Sequence, residues 1–251
     1  MLLGVALVLT ALAPAALGAD DAVVAARNLL IAWHEDPARI DRARTLLEGA
    51  ARTGARPDAL VELARVWFLV GDFRSHGDGE RAAAYERGIE TARRAIAAAP
   101  RNDRAHLWLA LNSGRLAEVR GVMRALPLVN TIREESQTVL RLNPASVEGL
   151  VLAASLAAEL PSLLGGDRAR AEGLFQQALA IEPTHTGGRL ELARLYLAAR
   201  RWRDAERELQ RIVHEPAPSD RPRWAVNEQP RARALLTELY ERGHLPGGQS
   251  P

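Results

Sequence analysis

LPSLLGGDRARAEGLFQQALAIEP, residues 160–183, admits two readings. Paired glycines before an acid can cradle a ligand, or they can join two helices. A phosphate loop needs GxxxxGK[ST] and a dinucleotide loop GxGxxG, each following a strand. No strand pattern precedes Leu160, and no lysine follows Asp167. Pro161 ends or begins a segment, and Gly165 and Gly166 supply the backbone freedom of a turn. Asp167 stands where an N-cap accepts from the free N–H groups of a following helix. The stretch therefore reads as a joint between helices over 150–159 and 171–181. An anion seated at that helix N-terminus is the other use such a joint allows.

The pattern around this joint repeats. GIETARRAIAAAP (88–100), IREESQTVLRLNP (132–144) and AEGLFQQALAIEP (171–183) share one spacing. Gly88, Ala92 and Ala95 precede Pro100; Ile132, Ser136 and Val139 precede Pro144; Ala171, Phe175 and Ala178 precede Pro183. Those offsets put three side chains on one helix face, and the proline ends the helix. AERELQRIVHEPAP (205–218) repeats the face with Ala205, Leu209 and Ile212. A second amphipathic run follows each proline: DRAHLWLALNSG, SVEGLVLAASLAAEL and TGGRLELARLYLAARRW. Each unit is thus helix, turn, helix, proline. Ala64, Ala110, Ala154 and Ala193 are small enough to let paired helices approach closely.

The repeat extends both ways. PDALVELARVWFLVGDF (57–73) is a first helix, with RSHGDGERAAAY (74–85) as a polar loop leading to the next. ARNLLIAWHEDPARIDRARTLLEGAART (26–53) makes two more helices that turn near Asp36-Pro37. APSDRPRWAVNEQP (217–230) reads as a proline-rich loop, RARALLTELYER (231–242) as a capping helix and 244–251 as a disordered tail. The expectation is an all-α superhelix over 19–243, with about five antiparallel helix pairs and a cap.

These units resemble tetratricopeptide (TPR) repeats. The last matches best, with Leu192, Ala193 and Tyr196 in its first helix, Trp202 at the turn, and Ala205 and Leu209 in its second. Earlier units exceed the usual ~34 residues. The surplus is expected between the two helices of a unit, with 115–130 as a long loop. A narrower resemblance rests on Asn112-Ser113-Gly114, RGVMRALPLVNTIREE (120–135), Gly165-Gly166-Asp167, and Asn227 before Ala232, Leu235 and Leu236. These look like the exported bacterial TRAP transporter T-component (TatT) family. That resemblance implies helical scaffolding around an apolar groove or pore, and a hydrophobic ligand handled beside a binding protein. Its members are often lipoproteins, and this chain lacks the cysteine.

Composition agrees with helix and narrows function. Aromatics are only 4%, and Ala, Leu, Arg and Glu dominate, residues that lose little freedom in helical rotamers. All 33 basic residues are arginine, set among 31 acids rather than in a basic stripe, which argues against a nucleic-acid partner. The absence of cysteine excludes disulfides, thiolate catalysis, Cys-ligated zinc and iron–sulfur clusters. At the N-terminus, MLLGVALVLTALAPAALGADD has an apolar run from Leu2 to Ala13, and Ala16-Leu17-Gly18 forms a cleavage motif before Ala19. Residues 1–18 resemble a secretory signal peptide, although no arginine precedes the run. Export to the periplasm or beyond is the expectation; left uncleaved, the run would anchor the chain to a membrane.

No catalytic motif is complete. The six histidines are scattered without HExxH spacing, and Ser113 lacks a GxSxG elbow. Glu134-Glu135 reads as a solvated helix face, and HEDP (34–37) as helix punctuation rather than a metal site. No cofactor or metal is expected, and the reading is non-catalytic. A TPR array bends so that its first helices line a concave surface. The inward candidates are Arg65, Phe68, Leu107, Leu111, Val151, Ser155, Leu190, Arg194 and Leu197. Such a surface suits a partner protein or peptide, or a small hydrophobic molecule. A homo-oligomer is compatible with the same architecture.

Overall fold

The computed structural model describes residues 18–53 and 56–244. Residues 1–17, which carry most of the expected signal peptide, and residues 54–55 and 245–251 lie outside them. The described chain is all-helical. α1 (Ala19–Leu30) pairs with α2 (Ala38–Thr53), and α3 (Pro57–Phe73) with α4 (Asp78–Ala98). α5 (Asp103–Arg120) pairs with α6 (Val122–Leu142), α7 (Val147–Glu159) with α8 (Arg168–Ile181), and α9 (Thr186–Ala198) with α10 (Trp202–Val213). A short turn α11 (Arg221–Arg223), a π turn (Trp224–Glu228) and α12 (Gln229–Glu241) run on without a break, and α12 caps α10.

The prolines explain the unit boundaries. Ala99, Asn143 and Glu182, each preceding a proline, leave the helix with φ near −140° and ψ near +85°. A proline ring disfavours helical ψ in the residue before it, so the helix stops there. Two residues past each proline sits the cap of the next helix. Asn102 accepts from Ala105 N–H at 3.2 Å, Ser146 from Gly149 N–H at 3.2 Å, and His185 Nδ1 from Gly188 N–H at 2.9 Å. One short connection is built three times from Pro-x-Asn, Pro-x-Ser and Pro-x-His.

The predicted inward faces are buried. Ala64, Ala110, Ala154 and Ala193 are fully buried, as are Ala92, Val139, Ala171, Ala178 and Leu209. The joint at 160–167 is confirmed. Ser162–Leu164 form one 3₁₀ turn, and Gly165 takes φ +93°. Gly166 lies so close to the Leu160 carbonyl that a side chain would collide with it. Asp167 accepts from Arg170 N–H at 3.0 Å as the cap of α8.

Three expected loops are helical instead. Residues 115–130 continue α5 and open α6, with Gly121 (φ +75°) as the whole corner. Pro127 lies inside α6, near its start. The surplus length of this unit is therefore extra helical turns. The polar loop after α3 shrinks to residues 74–77, because α4 begins at Asp78. The proline-rich stretch is helical from Arg221, where Pro222 occupies a first-turn position that needs no N–H, and Pro230 follows directly on the π turn. His244, assigned to the tail, stacks on the Trp202 ring at 4.2 Å.

Candidate functional site

The first helices α1, α3 and α5 open onto a groove of about 870 Å³. Its other walls are the N-terminal ends of α7 and α9 and the segment 218–228. That segment is tied down at several points. Ser219 N–H donates to Thr184 C=O at 3.2 Å, Trp224 Nε1–H to Ile212 C=O at 2.8 Å, and Gln229 to Val213 C=O at 3.1 Å. Arg223 then reaches back to α3, its guanidinium 5.9 Å from the centre of the Phe68 ring. The C-terminal segment thus bounds a bowl rather than leaving an open trough.

The nine candidate residues do not share one surface. Arg65, Leu107 and Leu111 line the groove. Phe68 lies beneath it, 3% exposed and packed on Trp108 with ring centres 5.6 Å apart. Val151, Leu190 and Leu197 pack into the core of the C-terminal half. Ser155 and Arg194 line a separate depression of about 240 Å³ with Glu159 and Glu191. Burial and the neighbouring Glu191 and Glu118 raise the Glu159 carboxyl above its ordinary range. The groove follows the N-terminal ends of α7 and α9 because their middle turns are covered by packing between the helix pairs.

Charge decides the character of the groove, which is less apolar than expected. Glu62, on α3, is fully buried. Arg27 Nε, from α1, donates to its Oε1 at 2.9 Å, and Arg104 Nη2, from α5, at 3.1 Å. Arg65 Nη1 lies 3.6 Å from Oε2. Burial disfavours the Glu62 charge, but Arg65, Arg104 and Arg27 together hold its carboxyl below the ordinary value. Three arginines of the groove wall thus share one acid. They remain partly exposed, at 46%, 28% and 45% for Arg27, Arg65 and Arg104.

The opposite wall holds a second buried acid. Glu228, at the end of the π turn, is 2% exposed. Thr186 Oγ1–H donates to Oε2 at 2.5 Å, and Arg223 Nε lies 3.9 Å from Oε1. Here burial prevails over the Arg223 and Thr186 contributions and raises the carboxyl. Glu148, Glu182 and Asp220 add further acids to this side.

Sequence reasoning missed Arg27, Arg104, Glu62, Arg223 and Glu228. Glu62 carried a readable signal, as one acid inside the apolar run Leu60 to Val70. Glu228 carried none, because its burial depends on the C-terminal segment folding back. The histidines form no joint site. His185 is a helix cap, and His106 bridges Glu135 (2.5 Å) and the Pro100 carbonyl (2.9 Å). Trp67 is a core residue flanked by Arg44 and Arg87, and Trp108 is a half-buried wall of the groove. Among the described residues no group of three metal-ligating side chains comes together, and no helix is long and apolar enough to cross a membrane.

Two family models match adjacent, non-overlapping parts of the chain. A tetratricopeptide-repeat family model matches residues 163–239, which hold α8, the last pair α9–α10 and most of the cap. The family model for regulator of microtubule dynamics protein 1-3 matches residues 32–153, from α2 to the first half of α7. Regulator of microtubule dynamics protein 3 of Mus musculus is 23% identical over 192 residues, 68% of this chain. The match spans only 41% of that mouse protein. Among solved structures, a thermophilic TPR protein of Thermus thermophilus is 25% identical with TM-score 0.62. It aligns over 85% of this chain and 100% of its own. Pseudomonas aeruginosa pilF, at 18% identity and TM-score 0.51, aligns over 89% of this chain and 94% of its own and shares the fold. The chain has a TPR-like helical solenoid fold, and its C-terminal part matches the TPR family model.

Proposed function

We propose that the chain is an exported, non-catalytic scaffold that holds a segment of a partner protein in the groove bounded by α1, α3, α5 and residues 218–228. The observation that carries this reading is the groove itself. Its volume of about 870 Å³ is lined by Leu30, Leu107 and Leu111 below and by charged side chains above. An apolar floor with polar anchors is how a concave surface takes a peptide or helix. The acids under the groove serve as ties rather than as proton donors: Glu228 is held by Thr186, and Glu62 by its arginines. The export half of the reading rests on residues 1–18. The mouse relative is named for regulating another assembly, a task that suits a binding scaffold, and the shared helices are the part we assign to binding.

A photo-crosslinking side chain at Ile31, on the groove rim, tests this directly. It is expected to capture a partner in the cell envelope, and Leu111→Arg is expected to abolish the capture. The same probe at the exposed Ile181, outside the groove, is expected to capture nothing in common. Equal capture from both positions contradicts the reading. N-terminal sequencing of the exported protein is expected to begin at Ala19.

The apolar floor supports one alternative, a periplasmic carrier of a small hydrophobic ligand working with a TRAP-type solute-binding protein. Lipid extraction of the purified protein separates the two. A co-purifying hydrophobic molecule, lost in Leu111→Arg, favours the carrier.

A further inference from the structure

We propose that Arg27, Arg65 and Arg104 form a pre-built seat for carboxylates, so that the segment held in the groove is acidic. This rests on the scaffold reading above and names the chemistry of the partner.

The argument starts from Glu62. A single buried acid needs one cation to offset its charge, and it has three. They come from three successive first helices, α1, α3 and α5, and converge on one side chain without being neighbours in sequence. Arg27 spends Nε on Glu62 and Arg104 spends Nη2. The remaining guanidinium N–H groups of Arg27 and Arg104 are given no acceptor among the described residues. These side chains line the groove and keep contact with water. Glu62 therefore acts as an organiser. It draws the three guanidiniums onto one carboxylate, where their mutual repulsion would otherwise spread them, and leaves donors and positive charge on this wall, facing the acids Glu148, Glu182 and Asp220 across the groove. Arginine forks match carboxylate geometry, and a pre-organised fork loses little side-chain entropy on binding. Leu111 and the exposed Ile31 beside the cluster supply apolar contact, so acidic residues interspersed with leucine are the complementary pattern.

The probe is a fluorescent decapeptide of alternating Glu and Leu, with Gln/Leu and Lys/Leu counterparts, followed by anisotropy on the full chain. The Glu/Leu peptide is expected to bind, to weaken with added salt, and to exceed the Gln/Leu peptide by roughly tenfold or more. Arg27→Ala/Arg104→Ala is expected to remove that preference with the helical circular dichroism unchanged. Glu62→Gln separates an organised seat from a general positive field. Simple attraction predicts tighter binding when an acid is removed; an organising role predicts weaker binding, by roughly threefold or more. Should Glu62→Gln fail to fold, Arg65→Lys replaces it: simple attraction predicts unchanged binding, and an organised fork predicts weaker binding.

Equal binding of the Glu and Gln peptides, no binding of either, or Glu62→Gln and Arg65→Lys leaving affinity unchanged or higher overturns the proposal. So does binding of phosphatidylglycerol vesicles through the same arginines while the Glu/Leu peptide stays free. If the Ile31 crosslink is lost in Leu111→Arg yet indifferent to Arg27→Ala/Arg104→Ala, the acidic seat is wrong and the scaffold stands. If neither change affects the crosslink, both fall.

Discussion

Glu62 and Glu228 are buried on opposite walls of the same groove, and the chain handles their charges in opposite ways. Glu62 has three arginines within 3.6 Å and a lowered carboxyl. Glu228 has one arginine at 3.9 Å, a threonine hydroxyl at 2.5 Å and a raised carboxyl. Burial pushes both upward; the number and distance of the arginines decide which effect wins. The lesson concerns excess. On the Glu228 wall the pairing falls short of what the acid needs, so that acid is a structural tie. On the Glu62 wall it exceeds the need, and the surplus faces the groove.

The largest test removes each acid. Glu62→Leu leaves three arginines facing one another and is expected to cost about 2 kcal/mol, less than for a fully buried pair because the arginines keep water contact. Calorimetric unfolding at pH 7 measures it. Thr186→Val strips Glu228 of its hydroxyl donor and is expected to cost about 1 kcal/mol. In Glu228→Gln, where the side-chain oxygen can still accept from Thr186, the sign reverses, and a gain below about 1 kcal/mol at pH 7 is expected.

The pH dependence sharpens the contrast. Glu62 has a folded value below its ordinary 4.5. Its stabilisation is complete above 4.5 and is lost as pH falls through the folded value, so the deficit of Glu62→Gln shrinks with acid. Glu228 has a folded value above 4.5, so the folded chain holds that proton more tightly than the unfolded one. Stability drains as pH rises from 4.5 through the folded value, and the advantage of Glu228→Gln grows over that window. Parallel pH curves for wild type and both variants would erase the distinction. The smallest expected effect is on stability in Arg27→Ala, under about 0.5 kcal/mol, because Arg27 is half exposed and Arg65 and Arg104 stay on the buried Glu62. A large loss there would mean that Arg27 serves the fold.

Helix order was legible because its determinants are local. Pro100, Pro144 and Pro183 stop helices through their effect on the preceding residue, and Asp167 caps the next helix through its own side chain. The loop expected at 115–130 failed because surplus repeat length reads the same in sequence whether it is loop or added helical turns, and α6 runs through Pro127. The groove was half legible. Arg65, Leu107 and Leu111 followed from helix periodicity. Arg27, Arg104 and Arg223 did not, because three pairs and the C-terminal segment must assemble before those side chains meet. Val151 and Leu190 were misplaced for the same reason: a repeat pattern marks a helix face without showing which neighbour covers it.

The most direct test is a two-dimensional amide NMR titration of the chain with the Glu/Leu decapeptide. The account predicts shifts confined to the groove-facing turns of α1, α3 and α5 and to residues 218–223, absent in Arg27→Ala/Arg104→Ala. Shifts spread over the outer helices α2, α4 and α6, or no shifts at all, would contradict the claim that the groove is where this protein binds.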